Sequence, residues 1–239
     1  MKIRIIPLIT AWAALTVLGA GSSQSASAEE GVALAIVYDT SGSMGDSVRD
    51  ATGKMSPKYK IANRALESIA RQLQAFAAKS ADGAPRKIQA GLFVFDGSGT
   101  REAVRFGNFD AAAIIAWAQQ FSSPGSGTPL GTALQTASQA VLKSDLTRKH
   151  VLVITDGINT IGPDPAQTMP AIKKQADQKQ ANLGIHFVAF DVNAKVFDSV
   201  KKLGATVLGA SNEKQLNSQL EVIMQRKILL EDEEPPKKN

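Results

Sequence analysis

Five oxygen-bearing side chains stand at three separated points of the sequence, each directly after or before an apolar run. In "LAIVYDTSGSMGDS" (34–47) Asp39, Ser41 and Ser43 are spaced by two, with Gly42 between the serines. Thr128 lies in "PGSGTPLG" (124–131), and Asp156 closes "LVITDG" (152–157). Asp, Ser and Gly are common turn formers, so the first stretch alone reads equally as a polar turn after a strand. Taken together, the three stretches supply two carboxylates and three hydroxyls, with no histidine or sulfur among them. A donor set of that kind suits a hard cation such as Mg²⁺, Mn²⁺ or Ca²⁺, not zinc or copper.

These loops need a scaffold that brings them together. Segments 32–38, 88–95, 150–155, 185–192 and 205–210 are short, rich in β-branched or aromatic residues, and mostly apolar on both faces. Strands of that kind belong to a sheet covered on both sides, usually a parallel one. Between them, 58–79, 110–121, 129–142, 165–181 and 212–228 carry apolar residues at helical spacing. Alternating strands and helices predict an α/β, doubly wound, Rossmann-like three-layer sandwich. A weaker strand at 101–107 follows 88–95 too closely for a crossover helix, so it is expected as an antiparallel edge strand. In such a sheet ligands bind outside the carboxyl ends of the strands, which is where all three polar loops emerge.

The set resembles the metal-ion-dependent adhesion site (MIDAS) of von Willebrand factor type A (VWA) domains: Asp-x-Ser-x-Ser after the first strand, a later Thr, and Asp-Gly after the central strand. "DTSGSM", "GSGTPLGTAL" and "LVITDG" carry the likeness in that order, and it spans nearly the whole chain after the first 28 residues. The resemblance implies that Ser41, Ser43 and Thr128 ligate a divalent ion. Asp39 and Asp156 would act directly or through water, and a carboxylate from a partner protein would complete the metal shell. It implies an adhesion or assembly module rather than an enzyme. Related domains switch affinity by moving their last helix, which would be 212–228 here.

Two rival classes make different demands. A Mg²⁺-dependent hydrolase or phosphatase using Asp39 as nucleophile wants a second carboxylate two residues on, where Ser41 stands, and a lysine near the phosphate. Lys54 lies in the polar stretch 44–59 with no motif around it. A serine hydrolase needs a histidine, and His150 and His186 are expected at strand beginnings, away from the loops, as structural or surface residues. No Gly-x-x-x-x-Gly-Lys phosphate loop occurs. The third class is a structural or assembly factor that works without metal. Among the remaining residues, Asp96 and Asp191 are expected on the same rim, Asp164 as a helix cap and Trp117 in the core. The stretch 44–59 is read as a long polar loop that either shapes partner choice or is a neutral insertion.

The ends and the bulk composition set further bounds. Residues 1–28 combine a basic start, an apolar run and Ala26-Ser27-Ala28, the order of a secretory signal peptide too short for a membrane span. The expected product is one VWA domain over 29–230 with a charged tail, "EDEEPPKKN", over 231–239. It is expected to be exported to the periplasm or outside the cell, with no stable membrane insertion after cleavage. Without Lys2 and Arg4 there remain 25 basic and 22 acidic residues, a balance of +3. Those charges are scattered and aromatics are few, so nucleic acid is not an expected partner. The chain has no cysteine, which excludes disulfides, thiolate metal sites, a cysteine nucleophile and a lipoprotein anchor.

Overall fold

The computed structural model describes residues 29–78, 85–96, 99–125 and 127–229. The expected signal peptide (1–28) and tail (231–239) lie outside the described residues. Among the described residues eight strands and six α-helices follow one another as β1 (Glu29–Tyr38), β2 (Ser47–Arg49), β3 (Met55–Pro57), α1 (Lys58–Ala78), β4 (Ile88–Asp96) and β5 (Gly99–Asn108). Then come α2 (Ala111–Gln120), α3 (Leu130–Val141), β6 (Leu146–Thr155), α4 (Pro165–Gln178), β7 (Leu183–Phe190), α5 (Asp198–Lys202), β8 (Thr206–Ala210) and α6 (Glu213–Ile223).

Six strands form one sheet in the order β5-β4-β1-β6-β7-β8. All neighbours are parallel except β5, which runs antiparallel to β4 at the edge. The mostly parallel, doubly wound sheet with one antiparallel edge strand is thus observed. Alternate residues of β1 feed the two covered faces, as strand periodicity requires. Val32, Leu34, Ile36 and Tyr38 join a core with α1, α2 and α6. Ala33, Ala35 and Val37 join the other with α3, α4 and α5, and the two alanines leave room for α3 to lie close over β1. Every residue of β1 from Val32 to Tyr38 is fully buried, which explains its unbroken apolar run.

Chain order places the switch point at β1. From β1 the chain moves outward through α1 to β4 and β5, then returns over α2 and α3 to β6 on the other flank of β1. Tyr38 pairs with Val94 on one side and Ile154 on the other, so the residues after β1 and β6 emerge side by side. A crevice at that position is where open α/β sheets take ligands.

Three local features differ from the sequence-based expectation. The stretch 44–59 is not a bare loop: a turn over Gly42–Gly45 leads into a β2–β3 hairpin, and α1 begins at Lys58. Pro129 caps α3 rather than opening its first turn, whereas Pro165 does begin α4 behind Asp164, whose side chain completes a capping box. β6 starts four residues before His150, so that His150 and His186 lie mid-strand and are buried rather than at strand beginnings. Trp117 is partly buried, stacked on Phe121 and edge-on to Tyr38.

Candidate metal centre

Asp39 follows β1 directly, and its backbone N–H extends the β1–β6 ladder by donating to the Ile154 carbonyl at 3.0 Å. Its side chain is fully buried. One carboxylate oxygen accepts from the Ser41 N–H at 2.8 Å, and the other accepts from the Thr155 hydroxyl at 2.6 Å. Burial pushes the Asp39 carboxyl up from the ordinary aspartate range, and Asp156 adds to the rise, while the bonds from Ser41 and Thr155 pull it back. The folded chain therefore holds an acid whose charge is under-compensated by the protein around it.

The chain turns after Asp39, and Thr40 anchors the turn by donating its hydroxyl to the Phe95 carbonyl of β4 at 2.6 Å. Ser41 and Ser43 come together on one side of that turn, their Oγ atoms 3.1 Å apart. Ser43 Oγ donates to Asp156 Oδ1 at 2.8 Å, joining the loop after β1 to the loop after β6.

The loop before α3 is stitched to both. Gly125 N–H donates to the Thr40 carbonyl at 2.8 Å. Thr128 N–H donates to Thr160 Oγ1 at 2.8 Å, and Thr160 N–H returns a bond to the Thr128 carbonyl at 3.0 Å. Gly131 permits the approach: a Cβ there would sit 2.0 Å from the Pro163 carbonyl oxygen. As a result Ser43 Oγ and Thr128 Oγ1 lie 3.8 and 3.9 Å from the point where a side chain on Gly157 would begin. All five residues expected at the site thus meet at the carboxyl ends of β1 and β6. Asp39, Ser41, Thr128 and Asp156 are buried, and Ser43 is exposed.

One functional group was absent from the sequence reading. Lys58, the first residue of α1, places its ammonium 2.8 Å from Asp156 Oδ2, 3.3 Å from Asp191 Oδ2 and 3.9 Å from Asp46 Oδ2. The Lys58 side chain is only 5% exposed and that of Asp156 is fully buried. Burial opposes the ammonium, but the hydrogen bonds and charges of Asp156 and Asp191 outweigh it and raise the Lys58 pKa above the ordinary lysine value. A signal existed in the sequence: a lysine opening a helix sits against the helix dipole and calls for an acidic partner. Lys54, considered beforehand, is exposed in the hairpin.

The donor set fits a hard divalent ion by its chemistry, since it offers carboxylate and hydroxyl oxygens at a switch point. Among the described residues no group of three or more His, Cys, Asp or Glu side chains is arranged to hold a metal. Any ion here would rely on hydroxyls for much of its shell.

A family model, the von Willebrand factor type A domain, matches residues 33–219. The chain belongs to the VWA domain family. No curated protein sequence matches it significantly. Among solved structures, this VWA domain is similar to the vWF domain of the type V pili tip protein Mfa5 from Porphyromonas gingivalis, with a TM-score of 0.60 at 15% identity over 82% of this chain and 94% of that one. It is also similar to the PilB minor pilin from Streptococcus sanguinis, with a TM-score of 0.59 at 16% identity over 82% of this chain and 61% of that one. Proximal thread matrix protein 1 from the mussel byssus, solved with a zinc-occupied MIDAS motif, gives a TM-score of 0.59 at 15% identity, over 82% of this chain and 48% of that one. The match thus spans about half to three fifths of the PilB and byssus chains. At these identities the likeness establishes the VWA fold.

Proposed function

We propose that this VWA domain is an exported protein-binding module for adhesion or assembly, dependent on a divalent ion held by Asp39, Ser41, Ser43, Thr128 and Asp156. The observation that carries the reading is the Ser43–Asp156 hydrogen bond of 2.8 Å, with Thr128 drawn in beside it, because it joins ligand candidates more than a hundred residues apart. The pilus proteins among its structural neighbours and the zinc-occupied MIDAS of the byssus protein support the same direction. We take Mg²⁺ as the native ion, with Mn²⁺ or Ca²⁺ as substitutes.

When bound, the ion supplies a Lewis-acid position that accepts a carboxylate oxygen from a partner protein. The chain's own residues do the rest. Asp39 holds the turn through Ser41 N–H, and Ser41 and Ser43 present their hydroxyls together. Asp156 is oriented from both sides by Ser43 and Lys58. Asp39 and Asp156 are the only carboxylates among the five ligand candidates, so the ligands can do no more than balance a dication, which leaves room in its shell for an incoming acid. Among the described residues no helix is long and apolar enough to cross a membrane. Signal cleavage after residue 28 is part of the reading, and the mass of the exported product tests it.

One observation favours the hydrolase reading: the structure brings a lysine, Lys58, to the site, and a phosphatase needs a lysine near its phosphate. Ser41 still occupies the position where that chemistry wants an acid, and we therefore hold it second. The purified protein, immobilised and offered its native envelope extract with Mg²⁺ or with EDTA, separates the classes. An EDTA-sensitive partner together with no turnover across phosphate-ester and peptide substrates is expected. Metal-dependent turnover would replace the binding reading with the hydrolase, and capture indifferent to EDTA would point to the metal-free assembly factor.

A further inference from the structure

A cluster of oxygen ligands has no need of a resident ammonium, yet Lys58 brings one to within 2.8 Å of Asp156. Two penalties oppose that placement. The side chain is 5% exposed, and a charge so enclosed forfeits hydration. It also stands at the first residue of the 21-residue helix α1, where the helix dipole disfavours cations. Both are offset by acids from three different loops: Asp156 after β6, Asp191 after β7 and Asp46 before β2. The Lys58 backbone N–H is fixed as well, donating to the Asp46 carbonyl at 2.8 Å, so the helix start is tied to the loop that carries Ser43.

We propose that Lys58 is the site's built-in competing cation. Its ammonium neutralises Asp156 when no divalent ion is present, which keeps the ligand loops assembled, and it opposes an arriving divalent ion by like charge. Lys58 thereby sets the affinity, making occupancy depend on the ion concentration outside the cell rather than permanent. This inference rests on the metal-binding reading of the same residues. A unit charge neighbouring a dication lowers affinity by about tenfold or more even at an effective dielectric constant near 20.

The test is calorimetric titration of Mg²⁺ and of Mn²⁺ into the purified, EDTA-stripped protein as wild type, Lys58→Met and Lys58→Arg, with thermal unfolding of each in EDTA. Lys58→Met is expected to bind both ions at least about tenfold more tightly than wild type, and to melt at a lower temperature without ion because Asp156 loses its neutralising partner. Lys58→Arg keeps the charge and is expected within about threefold of wild type. Lys58→Gln keeps a donor but not the charge, and it stands in with the same expected gain should the Met variant not fold. Wild type binding an ion while the neutral variants bind it no more tightly would overturn the competing role and leave the metal site standing. Binding by neither wild type nor neutral variants would overturn the metal site itself. Binding only by the neutral variants would support the proposal in its strongest form.

Discussion

Strand β6 carries two buried polar centres, and they behave as opposites. At its carboxyl end Thr155 and Asp156 join Asp39, Ser43 and Lys58, in a cluster that opens to solvent through exposed Ser43. Midway along the same strand His150 meets His186 of β7, the ring nitrogens 3.2 Å apart and the rings stacked, with both residues buried. The histidine pair is buried where β6 and β7 lie side by side. The rim centre draws on loops from β1, α3, β6 and β7 and leaves Asp39 with its carboxyl pushed up by burial. The histidine pair lies away from the ligand candidates, whereas the rim brings carboxylates, hydroxyls and an ammonium together at strand ends, where open α/β sheets take ligands.

That contrast can be broken most severely at the point where the scaffold and the rim meet. Gly131→Ala would drive a Cβ to 2.0 Å from the Pro163 carbonyl and separate α3 from the loop after Asp156. A loss of about 3 kcal/mol is expected in urea denaturation, together with weakened Mg²⁺ binding, because the change overpacks a backbone contact. Equal metal affinity in that variant would show that Thr128 does not depend on this approach.

Ser41→Ala combined with Ser43→Ala should act on the rim alone. Mg²⁺ affinity is expected to fall about 100-fold, a change of about 2.7 kcal/mol. The melting temperature in EDTA should stay near wild type, since these hydroxyls meet each other, Asp39 and Asp156 at the rim rather than side chains of the apolar cores. A large drop in melting temperature would make them structural.

His150→Ala is the mirror experiment. It leaves a void between β6 and β7 and removes a buried hydrogen bond, so about 2 kcal/mol of stability should go while Mg²⁺ affinity is unchanged. A metal defect in that variant would dissolve the division between the two centres.

The smallest effect belongs to a third polar contact. Glu213 at the start of α6 accepts from Arg64 of α1 at 2.8 and 2.9 Å, and from Ala51 N–H of the hairpin at 2.7 Å. The Arg64 hydrogen bond lowers the Glu213 pKa against the cost of burial. A lowered carboxyl pKa stabilises the fold fully above the unfolded value near ~4.3, and that contribution disappears as the pH falls through the folded value. Glu213→Gln should therefore cost about 1 kcal/mol at pH 7, with Arg64 half in solvent, and less at an acid pH below the unfolded value. Denaturation curves at both pH values check the sign.

Much of this was legible beforehand because it rests on local patterns. The apolar runs marked the strands, and the short "DGSGT" connection marked the antiparallel edge. That Asp39, Ser41, Ser43, Thr128 and Asp156 come together could be foreseen because each adjoins a strand or helix end whose position the runs define. The β2–β3 hairpin was hidden, since "SVR" and "MSP" are too short and mixed to show alternation. His150 was misplaced because Leu146-Thr147-Arg148-Lys149 looks like a polar loop, yet it forms the first part of β6. Lys58 was missed because its role comes from acids that follow β6 and β7, and no spacing within its own stretch encodes them.

The central claim is that Asp39 anchors a divalent ion at the rim without being needed for the fold. Calorimetric titration of Mg²⁺ into the EDTA-stripped protein, wild type against Asp39→Ala, tests it most directly. One saturable site in wild type, lost in a variant that still unfolds cooperatively at a similar or higher temperature in EDTA, is the predicted result. Equal affinity in the two proteins would contradict it.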